Sequence, residues 1–236
     1  MTSLNDSSAS PNVSALGRLT ARPGTPTAQE RTRFRRLGLG DDRDGLLYVG
    51  ATYTPGQPAP LVVLLHGAGG SAEGALALLR DLADDAGLIV LAPDSRGATW
   101  DVIGHEYGPD IAFLDRALAQ VFGDFTVDPA RLAIGGFSDG ASYGLSVGLM
   151  NGDLFSHLLI FSPGFSAPAS RIGTPRIFVS HGTRDEILPI DTCSRVIVPQ
   201  LRRAGYDVTY REFDGPHSVP DEIRSAALAW FLRGAG

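Results

Sequence analysis

A single cysteine among 236 residues, Cys193, has no partner for an internal disulfide and gives no sign of an oxidising compartment. It sits in "PIDTCSRVIV", where a helix is expected to start at Asp191, and reads as a quiet helical thiol rather than a nucleophile. No apolar run approaches the roughly 18 residues of a membrane span. The N-terminus, "MTSLNDSSASPNVSALG", lacks a basic start followed by an apolar block and does not read as a signal peptide. A cytoplasmic location is the default expectation, with secretion left open if a leader has been removed. Positive charge is also scarce, 20 Lys and Arg against 26 Asp and Glu for a net charge of −6. With no basic face, nucleic acid is not an expected partner. The one basic cluster, Arg31, Arg33, Arg35 and Arg36, is followed by Asp41, Asp42 and Asp44 and reads as a solvated, self-compensating segment.

The chain does hold enough apolar material for a core: 43% of residues are hydrophobic and 19% charged. The first 30 or so residues, rich in Ser, Thr, Pro and Ala, cannot bury enough surface to offset the entropy of ordering. Residues 1–40 are therefore expected to be flexible or loosely packed, and 41–236 to form one domain. From Leu46 onward apolar runs alternate with helical patterns. Strands are expected at "LLYVGATY" (46–53), "LVVLLHG" (61–67), "LIVLAPD" (88–94), "RLAIGGF" (131–137), "HLLIFSP" (157–163), "RIFVSHG" (176–182) and "DVTYREF" (207–213). Helices are expected over 72–86, 109–122, 139–150, 190–203 and 221–232. Continuous apolar runs without alternation suit strands covered on both faces. The order predicts an α/β fold with a mainly parallel twisted sheet and helices on both faces.

"IGGFSDGASYGLSVGLM" (134–150) contains Gly-x-Ser-x-Gly twice, centred on Ser138 and Ser146. With 29 glycines, composition alone would produce one such match in about one chain in four, so context must decide. The motif needs its serine on a tight strand-to-helix turn that lifts the hydroxyl above the sheet edge. Ser138 directly follows "RLAIGGF" and precedes a helix. Ser146 lies inside that helix, where Gly140, Gly144 and Gly148 recur every fourth residue as a packing stripe. Each of those glycines costs about 1 kcal/mol relative to alanine, which close packing must offset. Ser138 is the candidate nucleophile.

A serine hydroxyl needs a positioned base, and in this architecture the acid and then the histidine follow the serine along the chain. His66 and His105 precede Ser138. His157 follows the serine's helix too closely to leave room for an acid-bearing strand. His181 reads as a buried structural group bonded to an acidic loop. His217, in "FDGPHSVP", is the expected base. The expected acid is Asp185 in "HGTRDEILP", with Glu186 as its nearest rival. Asp191 reads better as a helix N-cap, and Asp214 is too near His217 in sequence. For an oxyanion hole, the expected donors are the amide of Asp139, at a helix N-terminus, and that of Ala68 in "LLHGAGGS", flanked by Gly67 and Gly69. The second loop lacks the spacing and following Lys-Ser/Thr of a nucleotide loop.

With "LLHGAGG", "GGFSDG", "HGTRDEILP" and "GPHSVP" in this order, residues 45 to 234 resemble the α/β-hydrolase superfamily. More narrowly they resemble the phospholipase/carboxylesterase group of small bacterial serine esterases, relatives of dienelactone hydrolases and polyhydroxybutyrate depolymerases. "APDSRGATWD" (92–101) resembles the loop after the fourth strand of that group. Pro216 departs from the pattern, standing where such enzymes commonly carry a second glycine. The resemblance implies an α/β-hydrolase fold, no cofactor and no metal. About thirteen residues separate "LLIF" from "PRIF", too few for a sizeable cap domain. An open cleft lined by Trp100, Tyr107, Phe165, Ile187 and Leu188 is then expected, on loops at the carboxyl edge of the sheet. The implied activity is hydrolysis of short- to medium-chain acyl or aryl esters, small-molecule substrates, through an acyl-enzyme. Thioester or polyester cleavage is the alternative, and a non-catalytic ligand-binding fold a distant one. The sequence leaves the oligomeric state open.

Overall fold

The structure is a computed structural model that describes residues 17–27, 32–40, 42–104 and 106–233. Arg31, Asp41, His105 and residues 1–16 of the expected loose segment lie outside the described residues. The elements in order are β1 (Phe34–Arg36), β2 (Gly45–Val49), β3 (Ala59–Leu65), α1 (Ala72–Ala77), α2 (Arg80–Ala86), β4 (Ile89–Pro93), α3 (Asp101–Gly104) and α4 (Pro109–Asp124). They continue as β5 (Val127–Phe137), α5 (Asp139–Met150), β6 (His157–Phe161), β7 (Arg176–Gly182), α6 (Ser194–Arg203), β8 (Val208–Phe213) and α7 (Asp221–Leu232).

One eight-stranded sheet runs β1-β2-β4-β3-β5-β6-β7-β8. β1 and β2 pair antiparallel, as do β2 and β4, and every later pairing is parallel. The apolar runs of β3, β4 and β6 are buried on both faces, as parallel strands between helical layers require. Alternation then divides the core. Leu61, Val63 and Leu65 of β3 face the layer of α4, α5 and α6, whereas Val62 and Leu64 face α1, α2 and α7. The carboxyl ends of β3, β5, β7 and β8 open on the same edge, where loops of such sheets meet ligands. The link from β6 to β7 carries no helix, so no helical cap is inserted at that point of the edge.

Apart from β1, α3 and the first residues of β5, which were not expected from the sequence, the structure departs from the sequence expectations in four places. The helix expected over 72–86 breaks in two, because fully buried Leu79 adopts φ −128°, ψ −3° and re-aims the chain toward the core. The strand expected over 46–53 ends at Val49, and a turn follows. The helix expected from Ile190 starts at Ser194, since the Thr192 and Cys193 amides close a tight turn onto Pro189 O. Asp191 caps nothing and pairs instead with Arg195 at 2.7 Å.

Fourth, the N-terminal segment is anchored where it is described. Leu19 is buried, and its amide donates to Asn151 Oδ1 at 2.9 Å. The Thr20 and Ala21 amides donate to Asp115, and Arg18 and Arg22 both pair with Asp153. Polar side chains from α4 and from the turn after α5 supply the partners that this segment's own composition lacks. The basic cluster is compensated mainly from elsewhere too: Arg33 by Asp84, Arg35 by Asp124, and Arg36 by Asp44.

Candidate active site

Ser138 stands alone between the last residue of β5 and the first of α5, at φ 59° and ψ −121°. A non-glycine residue pays roughly 1–3 kcal/mol for such a backbone, and the surroundings must impose it. Here the flanking glycines permit a contact no side chain allows. A Cβ added to Gly140 would lie 2.3 Å from Leu65 O, and one added to Gly136 would lie 2.4 Å from the same atom. The Ser138 amide donates to Phe161 O at 3.0 Å. The hydroxyl thus stands at the sheet edge, half-buried. Ser146 is fully buried; its Oγ donates to Ser142 O (2.8 Å) and accepts from the Ala167 amide (3.0 Å). The glycine stripe packs as its spacing predicts, with Gly144 against Gly135 and Gly148 against Leu158.

His217 bridges the serine and the carboxylate. Its Nε2 lies 2.9 Å from Ser138 Oγ and its Nδ1 lies 2.6 Å from Asp185 Oδ2. The ring packs on Phe137, with centroids 4.5 Å apart. Two backbone bonds between the loops set this distance, Thr183 N to Phe213 O (2.8 Å) and Arg184 N to Gly215 O (2.9 Å). Pro216 does not keep the imidazole from the serine. Asp185 Oδ1 accepts the amides of Ile187 (3.0 Å) and Leu188 (2.8 Å). Burial alone would raise this carboxyl, but the Leu188 amide and His217 hold it below the usual carboxylate range. Of the rival acids, Asp214 is exposed and paired with Arg184, and Glu186 points to solvent.

His181, fully buried, donates from Nε2 to Leu188 O at 2.8 Å and lies 3.1 Å from Asp185 Oδ2, while Nδ1 accepts from Ser194 Oγ at 2.6 Å. Burial holds its pKa below the ordinary value, so it serves as a neutral structural donor.

The turn after β3 approaches the serine closely: a Cβ on Gly67 would lie 3.2 Å from Ser138 Cβ. Neither the Ala68 nor the Asp139 amide donates to another group among the described residues. Thr99 Oγ1 donates to the Asp139 carboxylate at 2.7 Å, tying the loop after β4 to the start of α5. Sequence reasoning missed Thr99, and also Arg43, whose guanidinium reaches His66, Gly70 O and Ser95. Thr99 lies in the "APDSRGATWD" stretch, but nothing in that pattern ties it to Asp139, and no motif marks Arg43.

The five expected lining residues do not share one surface. A cleft of about 880 Å³ is bordered by residues 96–101 and 106–110, including Trp100 and Tyr107. The Trp100 side chain is nonetheless buried; it stacks on Tyr143 at 5.2 Å and donates from Nε1 to His66 O. Tyr107 is buried too, its hydroxyl donating to Ala167 O. A second cleft, of about 410 Å³, contains Ile187 beside Arg184, Glu186, Pro216 and His217. Phe165 and Leu188 border neither, and Leu188 packs toward Gly164.

A mainly parallel sheet, a strained serine after its fifth strand and carboxyl-edge loops converging on that serine define the α/β-hydrolase fold, and the chain has that fold. No family model matches it. It is similar to a probable feruloyl esterase C of Aspergillus oryzae, 26% identical over 160 residues that make up 64% of this chain and 58% of the relative. The chain thus spans less than two thirds of that relative's length. Among solved structures it resembles esterase PE8, with a TM-score of 0.67 and 22% identity, covering 83% of this chain and all of the other. It also resembles an S-formylglutathione hydrolase of Agrobacterium tumefaciens, with a TM-score of 0.66 and 18% identity over 89% of this chain and 99% of the other. Among the described residues, no helix is long and apolar enough to cross a membrane.

Proposed function

We propose that the protein is a serine carboxylesterase acting through an acyl-enzyme, with Ser138, His217 and Asp185 as its triad. The observation that carries this reading is the imidazole of His217, placed 2.9 Å from the serine oxygen and 2.6 Å from the carboxylate. Asp185 holds the tautomer with the proton on Nδ1, leaving Nε2 free to accept the serine proton. Ser138 Oγ attacks the ester carbonyl, and the Asp139 and Ala68 amides receive the oxyanion. His217 then protonates the leaving alcohol, and water attacking by the reverse route frees the acid.

Small-molecule esters are the proposed substrates. The uncapped carboxyl edge suits short- to medium-chain acyl or aryl groups. The name of the Aspergillus relative favours the aryl class, and the cleft of about 880 Å³, bordered by the Thr99 that bonds Asp139, has room for a ring. The test is a panel of p-nitrophenyl esters graded by acyl length, with aryl esters, thioesters and polyesters alongside, plus labelling by a fluorophosphonate. Labelling that disappears in Ser138→Ala is the expected result. Activity rising steadily beyond about twelve acyl carbons contradicts the substrate class, and absence of labelling contradicts the mechanism.

A further inference from the structure

We propose that Arg43 is a positioning residue for the oxyanion hole, presetting the Gly67–Gly70 turn through His66 and the Gly70 carbonyl. This rests on the reading of Ser138 as nucleophile and Ala68 as oxyanion donor.

Around Ala68, the polar groups of the turn are committed. Gly67 O accepts from the Gly70 amide at 3.0 Å and from His66 Nδ1 at 2.7 Å. The Gly69 amide donates to Ala98 O at 2.8 Å, and Gly70 O accepts from Arg43 Nη2 at 3.3 Å. The Ala68 amide has no acceptor among the described residues. A turn held on either side of one free N–H is a donor oriented before substrate arrives. Such preorganisation makes an oxyanion hole effective, because nothing has to reorganise as charge develops.

His66 carries the clamp and must be neutral to do so. Its Nε2 accepts from the Ser95 amide at 3.0 Å and faces Arg43 Nη2 at 3.3 Å, so the ring proton sits on Nδ1 and is donated to Gly67 O. The charged groups facing the ring are Arg43, Asp94 and Asp139, and Trp100 lies against it with centroids 4.9 Å apart. Burial is the main cause holding the imidazole's pKa below its ordinary value. Arg43 pushes the same way, against Gly67 O and the two carboxylates.

Arg43 is itself held in place. It donates from Nε to Ser95 O and from Nη2 to Ser95 Oγ, with Asp94 Oδ1 4.0 Å away. The Asp44 carboxylate accepts the amides of Gly38, Leu39 and Gly40, and the Arg96 guanidinium donates to the Arg43 and Asp44 carbonyls. Bonds to the Asp44 carboxylate and to the Arg43 carbonyl thus hold the described residues around Arg43, and its one guanidinium reaches two loops of the catalytic edge.

The test compares Arg43→Gln and Arg43→Lys with wild type on a p-nitrophenyl ester. It measures kcat, KM, inhibition by a trifluoromethyl ketone whose serine adduct places an oxyanion in the same hole, and thermal melting. For Arg43→Gln the expected result is kcat lower by about 10- to 100-fold with KM within about threefold. Ketone affinity should fall in parallel, the protein should still melt cooperatively, and lysine should restore part of the loss. Unchanged kcat and ketone affinity overturns the proposal, as does a fall in kcat that ketone affinity does not follow. If Arg43→Gln does not fold, Arg43→Lys is judged by the same two criteria. Fluorophosphonate labelling of wild type at Ser138 separates the levels. Absent labelling overturns the underlying reading and this inference together, whereas labelling with unaltered Arg43→Gln kinetics overturns the role of Arg43 alone.

Discussion

The carboxylate of Asp185 meets two imidazoles at one oxygen: Oδ2 lies 3.1 Å from Nε2 of His181 and 2.6 Å from Nδ1 of His217. His181 is neutral and spends its Nε2 proton chiefly on Leu188 O, so the orienting interaction falls to His217. Asp185→Asn keeps the shape but presents an amide that stabilises the wrong tautomer of His217. The expected effect is a loss of about 10⁴-fold in kcat with little change in melting temperature. Steady-state kinetics on a p-nitrophenyl ester checks it, and a loss of less than tenfold would remove Asp185 from the proposed triad.

The two Gly-x-Ser-x-Gly serines make a paired prediction. Ser138→Ala removes the proposed attacking oxygen and should reduce kcat by about 10⁴-fold or more. Ser146→Ala leaves the Ala167 amide without its partner, costing about 1 kcal/mol of stability, while the chemistry persists. Equal kinetic losses in the two variants would mean that the elbow was assigned to the wrong serine or to neither.

The strand-to-helix turn at Ser138 was legible because it is written locally: a strand, two glycines at fixed offsets, and a helix. That His217 and Asp185 lie beside it was legible from chain order and from loops that follow strands. Arg43 and Thr99 were not, because their partners converge from separate loops: the sequence of "DDRDG" carries no trace of Gly70 O or of the His66 ring. The anchoring of residues 17–27 was hidden for a similar reason. It depends on Asn151, Asp115 and Asp153, and only one large apolar side chain, Leu19, hints at a buried end. The break between α1 and α2 has no proline or glycine to mark it; burial of Leu79 overrides a good helical pattern.

Gly140 offers a direct probe of the elbow. A methyl there would lie 2.3 Å from Leu65 O and 2.5 Å from His66 O, both backbone atoms that have little room to move. Gly140→Ala must push α5 away from β3 and with it displace Leu65 and His66, which lead into the Gly67–Gly70 turn. Destabilisation of about 1–3 kcal/mol is expected, accompanied by at least a hundredfold loss of kcat from misplacement of Ser138. Chemical denaturation and kinetics on the same preparation check both. Wild-type activity in this variant would contradict the close approach.

His157 gives the acid side of the stability curve. It is buried between Trp230 and Phe231, edge-on to both rings at 5.2 Å, with Nδ1 on Ser156 Oγ and Nε2 without a partner among the described residues. Burial, helped by Arg176, lowers its pKa from 6.5 to about 4. Between those values the unfolded chain binds the proton and the folded one does not. Stability therefore falls as pH drops through that window, by about 3 kcal/mol in all. Asp110 acts oppositely: burial raises it to about 6, so the folded state holds its proton first and gains stability as pH falls through much of the same range. The two cancel in part in wild type, and only a difference between proteins isolates the histidine. His157→Phe keeps a ring against Trp230 and Phe231, while Ser156 Oγ retains its bonds to Leu132. Its melting temperature relative to wild type should rise steadily from pH 7 to pH 4. A difference that stays constant across that range would show that His157 does not titrate differently in the folded and unfolded chains.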